Sequence, residues 1–234
     1  MSEAVRTVRV DEWTDFIRFL ERCYGHRWNY FPATYPELYR TDEDALSCFL
    51  VLEKEGRIVS HVGLFPLEVS SLGMRMTVGG IGGVATLPEH RRKGYMSMLL
   101  NHAAELMKER GWPLSVLWGD RQRYYSFGWE RAGLKYSMTI TRRALDRANV
   151  KSNPIRETSP EDALETVRRL HAMLPMRVER KRLLGVLRKP HVRIWLGEDG
   201  YVISSGSGYD PPDILEVASE GGGERELVRA VMER

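Results

Sequence analysis

The sequence predicts an α/β fold built on a mixed sheet, and three observations carry the prediction. Segments with the two-residue alternation of strands are interleaved with segments whose apolar residues recur at helical spacing. Turn residues, glycine above all, separate them at short intervals. In the first part of the chain the order reads β-α-loop-β-β-β-α-β, so hairpin strands are joined by a strand reached through a helix.

Residues Arg6 to Val10 alternate polar and apolar as a short strand. Asp11 is the expected cap of a helix whose apolar positions are Trp13, Phe16, Ile17, Leu20 and Tyr24, with Gly25 as its stop. From His26 to Leu46 the chain is irregular and rich in aromatics, including Trp28, Tyr30, Phe31, Tyr35 and Tyr39. So many aromatics are expected to pack down as a lid or pocket wall. Strands follow at Cys48 to Glu53 and Arg57 to Ser70, joined by Lys54-Glu55-Gly56. A turn at Leu72-Gly73 leads to a strand from Met76 to Ala85. A long helix runs Tyr95 to Arg110, ended by Gly111 and Pro113, before an apolar strand Leu114 to Trp118.

The turn-rich stretch Asn149 to Ser159 is the expected boundary, giving domains at 1–148 and 159–234. Ser159-Pro160-Glu161 starts a helix with Leu164, Val167, Leu170 and Leu174 on one face, ended by Pro175. A basic helix around Glu179 to Arg188 follows, then strands paired about Glu198-Asp199-Gly200, a strand Ile214 to Ser219, and a helix from Glu224. The order loosely repeats the first part, as a degenerate and incomplete second copy without the strand expected after its last helix.

A chain of 234 residues with 42% hydrophobic and 29% charged residues can bury a full core. The net charge of +3 lacks the field of a dedicated nucleic-acid binder. Cys23 and Cys48 form neither a metal-ligand spacing nor a disulfide framework, and ten methionines fit a reducing compartment. The charged start has no signal-peptide character and no window approaches a membrane span. A cytoplasmic location is expected, with no metal, no nucleic acid and no membrane partner.

The chemistry lies in Val84 to Gly94, reading VATLPEHRRKG, ahead of the helix YMSMLLNHAAELMKERG. A strand running into a tight basic loop that opens a helix leaves several backbone N–H groups unpaired at the positive helix end. That is a seat for a phosphate or pyrophosphate. Gly94 admits close backbone approach, and Arg91, Arg92 and Lys93 add charge-assisted bonds. An exposed basic turn that only caps a helix is the competing reading. Upstream, Gly79-Gly80-Ile81-Gly82-Gly83 interrupts a strand and marks a bulge or a close backbone approach.

This segment resembles motif A of the GNAT acetyltransferases, Gln/Arg-x-x-Gly-x-Gly/Ala, with Arg91 first and Gly94 at the central glycine. Met96 departs from the small sixth residue, although its amide stays available. The wording VATLPEHRRKGYMSMLL is similar to the first domain of the Eis-like tandem-GNAT enzymes, and the likeness extends over Val5 to Leu145. It implies a GNAT acyl-CoA N-acyltransferase fold followed by a second, incomplete GNAT-like unit. It also implies acetyl-CoA as co-substrate, held by Val84, Ala85, Thr86, Arg91, Arg92, Lys93, Gly94, Tyr95, Met96, Ser97, Gly119 and Asp120. The run GDRQRYYSFGW resembles the family's Phe-Tyr-x-x-Leu-Gly-Phe segment and its Eis-like form Tyr-x-x-Phe-Gly. Aligning Phe127-Gly128 makes Tyr124 the proton donor, against the plainer reading of a buried structural tyrosine.

The resemblance implies N-acetyl transfer to a primary amine, from a small molecule or a peptide, by direct attack in a ternary complex. A non-catalytic acyl-CoA-binding or regulatory module is the alternative, and a homo-oligomer that completes the half-domain is a third. An alkyl amine is neutral on the order of one time in a thousand at pH 7, so a base or a desolvating pocket must help. Glu68, His61 and Asp120 are water-relay candidates, though none holds a motif position. In Eis-like enzymes the terminal carboxylate of a further domain is thought to supply the base. This chain is expected to end before such a domain.

Overall fold

The computed structural model describes residues 4–134, 136–206 and 213–234. It contains two compact units, residues 1–133 and 134–234.

The first unit opens with β1 (Val5–Thr7) and α1 (Trp13–Tyr24). Phe16, Ile17 and Leu20 of α1 are buried, and Gly25 stops the helix in the left-handed conformation that its φ of 72° requires. Asp11 is not the cap. A single 3-10 turn, Val10–Glu12, precedes α1 and puts Glu12 at the capping position, where its carboxylate accepts the Arg9 amide and pairs with Arg6. The aromatic stretch forms α2 (Tyr30–Thr34) and α3 (Glu43–Leu46), and buries Phe31 and Tyr39 in the unit's core.

β2 (Phe49–Lys54), β3 (Arg57–Ser71) and β4 (Met74–Thr86) then form two successive hairpins. Both turns carry two adjacent residues at positive φ, Glu55-Gly56 and Leu72-Gly73, which matches the right-handed strand twist. α4 (Tyr95–Glu109) crosses back to β5 (Ser115–Leu117), and α5 (Arg121–Tyr124) follows. The strands lie in the order β1-β2-β3-β4-β5, antiparallel except for the β4–β5 pair. The sheet is therefore mixed, as the sequence predicts. Leu99, Leu100 and Ala103 of α4 are fully buried against the same core as β2 and β3. Burial of each large apolar side chain contributes about 1.5–3 kcal/mol.

The second unit comprises α6 (Arg142–Arg147), β6 (Arg156–Thr158), α7 (Pro160–Met173), β7 (Met176–Val178), α8 (Leu183–Leu187), β8 (Val192–Leu196), β9 (Gly200–Ser205), β10 (Ile214–Ser219) and α9 (Glu224–Met232). Strands β10-β9-β8-β6 form an antiparallel sheet. Alternation along the strands sends Ile194, Leu196, Tyr201 and Ile203 to the α7 side, and Trp195 and Val202 to the α9 side. Ser159 caps α7 by accepting the Asp162 amide, as its sequence context predicts. The basic helix expected over Glu179 to Arg188 shortens to Leu183–Leu187, because Arg180 leaves the helical path to pair with Glu216 and only Leu183 and Leu187 anchor the turn. Among the described residues no helix is long and apolar enough to cross a membrane.

Candidate functional site

The glycine-rich strand does bulge. His61 of β3 faces Ala85 and Gly63 faces Gly82, so Gly83 and Val84 of β4 oppose the single residue Val62. The bulge coincides with a change on the other edge of β4. Pairing with β5 runs only from Gly79 opposite Ser115 to Ile81 opposite Leu117. From Gly82 to Thr86 β4 continues without β5 beside it, and the two strands part.

The open edge leads into the basic loop and the start of α4. Gly94 caps α4 at φ 82° with no side-chain capping bond, so the first-turn amides of Tyr95, Met96 and Ser97 have no partner within the helix. A Cβ on Gly94 would meet nothing within 4 Å, so the space before those amides is open. Arg92 is also left-handed, at φ 62°. Successive reversals of this kind turn backbone N–H groups to one side, an anion-binding concavity. Arg91 braces the loop by donating from Nε to the Thr86 carbonyl at 3.2 Å.

These pieces enclose a cavity of about 470 Å³ lined by Val84, Ala85, Thr86, Arg91, Arg92, Gly94, Tyr95, Met96 and Ser97, all expected there. Lys93, Gly119, Asp120 and Tyr124 are not among its lining residues. Asp120 caps α5 by accepting the Gln122 amide at 3.0 Å. Tyr124 is buried, its ring seated on Gly119, where a Cβ would come within 2.5 Å of it. Burial raises the Tyr124 phenol above its ordinary value, with Arg123 opposing, so it stays protonated at neutral pH.

His90 of the basic run completes the lining together with Cys23, Tyr24 and Arg123, which sequence reasoning missed. Tyr24 reads as one more apolar position of α1, yet its hydroxyl donates to the Val84 carbonyl at 2.9 Å on the open β4 edge. Desolvation of that hydroxyl pushes Tyr24 up to about 12, with the nearby Tyr124 and Cys23 adding to the effect. The segment from His26 to Leu46, expected as a lid or pocket wall, contributes no lining residue: Phe31 and Tyr39 turn into the core, while Trp28 and Tyr35 stay exposed.

His61 is no relay base. It is fully buried, which pushes its pKa down to about 4, and its Nδ1 lies 2.7 Å from the Gly83 carbonyl. An unfolded chain takes up that proton near pH 6.5 whereas the folded one does so only near pH 4, so stability falls as pH drops through that window. Denaturant midpoints should lose up to about 3 kcal/mol of stability between pH 7 and 4 from this group alone. A His61→Asn variant should lack that component, and an unchanged pH profile in the variant would refute it.

In the second unit the corresponding strand–glycine–helix junction is filled from within. The Glu224 carboxylate accepts the Ser219 amide and hydroxyl, and the Asp199 carboxylate lies beside Gly221 and Gly223. Two acids thus occupy the junction where the first unit presents cations. Among the described residues no group of three or more His, Cys, Asp or Glu side chains converges as a metal ion would need.

A family model described as an acetyltransferase (GNAT) domain matches residues 4–132. No curated protein matches the chain. Among solved structures, a GCN5-related N-acetyltransferase from Kribbella flavida is similar at 20% identity and a TM-score of 0.71, covering 99% of this chain and 61% of that one. Eis1 from Mycobacterium abscessus is similar at 15% identity and a TM-score of 0.68, covering 100% and 63%. A GCN5-related N-acetyltransferase from Anabaena variabilis gives 16% identity and 0.70, covering 99% and 62%. The chain thus spans about three-fifths of the length of these solved chains, and the likeness of fold extends over both units.

Proposed function

The chain belongs to the GNAT acetyltransferase family, and we propose that it binds acetyl-CoA and transfers the acetyl group to a primary amine by direct attack in a ternary complex. One observation carries the reading: the stretch of β4 beyond the bulge, which β5 does not pair, and the first turn of α4 line a single cavity. Few other ligands need an extended amide-bearing arm beside a strand edge and a diphosphate at a helix start.

In this reading the amides from Arg92 to Met96 take the pyrophosphate, with Arg91 and Arg92 as cationic partners. The bound co-substrate supplies an activated thioester. A backbone N–H between Val84 and Thr86 polarises its carbonyl, preorganised by the strand so that no reorganisation is needed. Tyr124 gives its proton to the departing thiolate as general acid. The cleft brings acceptor and thioester together, which removes most of the entropic barrier to their encounter. We assign the acetyltransferase domain to 1–148 and a degenerate GNAT-like unit to 159–234, working in the cytoplasm.

The second unit is expected to bind no coenzyme, since Glu224 and Asp199 repel phosphate at its glycine junction. Native mass spectrometry with excess acetyl-CoA should show one coenzyme per chain; two would refute this. The non-catalytic alternative predicts binding without thiol release across a broad amine panel.

A further inference from the structure

We infer that His61 is a positioning residue that clasps the β4 bulge and thereby sets which backbone groups of Val84 to Thr86 face the cleft. The inference rests on the acetyl-CoA reading for its functional meaning, and on geometry for the clasp itself.

A bulge removes its extra residue from the strand ladder and leaves a carbonyl without its usual partner. Here that carbonyl belongs to half-buried Gly83, and a carbonyl shielded from water and left unpaired costs free energy. His61 meets it from the neighbouring strand, Nδ1 to oxygen at 2.7 Å. A carbonyl only accepts, so Nδ1 carries the hydrogen and Nε2 is left as a lone pair. Nε2 has no hydrogen-bond partner, in a surround that includes Phe16 with ring centroids 4.9 Å apart and Phe49 at 5.9 Å. Filling this space alone would favour Phe or Leu, which strand no nitrogen. The bond to Gly83 is what the imidazole adds.

Gly83 has no room for a side chain. At φ 62° a Cβ on it would come within 2.7 Å of the Tyr39 hydroxyl and 3.0 Å of His61 Cε1. Immediately beyond it lie Val84, Ala85 and Thr86, all on the cavity wall. Strand groups alternate with a period of two, so removing the one-residue bulge would swap inward and outward positions along that wall. The Val84 carbonyl that receives the Tyr24 hydroxyl would turn away, and so would the amides facing the thioester.

The test uses His61→Asn, which can still present a side-chain N–H near the position of Nδ1, and His61→Phe, which fills the space without a donor. In coenzyme-free protein, hydrogen exchange at Ala85, which lies opposite His61 of β3, should rise about tenfold or more in the Phe variant, with α1 amides unchanged, and stay near wild type in the Asn variant. KM for acetyl-CoA should rise about tenfold in the Phe variant and less than about threefold in the Asn variant. Exchange in the Phe variant equal to wild type, or an Asn variant as impaired as Phe, would overturn the clasp. Nitrogen NMR of the wild type gives an arm that needs no variant: an Nδ1–H tautomer at neutral pH supports the clasp, and an Nε2–H tautomer overturns it. If the wild type binds no acetyl-CoA, the functional reading fails while exchange and tautomer still decide the clasp.

Discussion

Replacing Tyr124 by Phe is expected to lower turnover by about 10²–10⁴-fold while leaving acetyl-CoA affinity nearly intact, the signature of a lost general acid. Burial raises this phenol above its ordinary value, so the proposed donor carries its proton at neutral pH. Its ring is fixed on Gly119 and meets Trp129 edge-on, with centroids 6.4 Å apart, and Phe preserves both contacts. The neighbouring Tyr125 is 57% exposed with the Arg121 guanidinium over its ring, so Tyr125→Phe should cost little. Thiol-release kinetics on the two variants separate them. A crippled Tyr125→Phe would move the register by one residue. Unimpaired turnover in both would assign the proton to water and leave Tyr124 a structural group. Tyr24, which does line the cavity, already commits its hydrogen to the Val84 carbonyl, so it is the poorer donor.

Gly94→Asp is expected to weaken acetyl-CoA binding by about a hundredfold or more, because a carboxylate would stand at the proposed diphosphate seat. Nothing lies within 4 Å of the new Cβ, but φ 82° strains any side chain there, so a neutral Gly94→Asn variant carrying the same strain is the control that isolates the charge. Arg91→Ala should cost less, about 1–3 kcal/mol, part of it from releasing the Thr86 carbonyl that Arg91 now holds. Calorimetry on both variants with matched melting temperatures checks the ranking. Gly94→Asp binding as well as wild type would remove the phosphate seat from this loop.

Local chemistry made much of this structure legible in the sequence. Helical spacing marked α1 and α4, paired turn residues marked both hairpins, and the glycine run marked the bulge. Expectations drifted where a side chain found a distant partner. Asp11 looked like the cap until Glu12 was tied back by Arg6, and α8 lost its basic first turn to the Arg180–Glu216 pair. The cleft shows the same division. Its loop residues are contiguous and carry a motif, so they were readable together. Tyr24 and Arg123 reach the cavity from α1 and α5, and no period or motif in either helix announces which face will meet a strand edge built sixty residues away. His61 was visible as an ionisable strand residue, but its partner is a backbone carbonyl, which no side-chain pattern encodes.

Calorimetric titration of the wild-type chain with acetyl-CoA, followed in the same sample by thiol release on adding a panel of primary amines, bears most directly on the central claim. The expected result is saturable binding of one coenzyme per chain, with thiol released above background for at least one amine. Absence of binding to the wild type would contradict the claim outright, and binding with no amine-dependent thiol release would leave a coenzyme-binding module in place of a transferase.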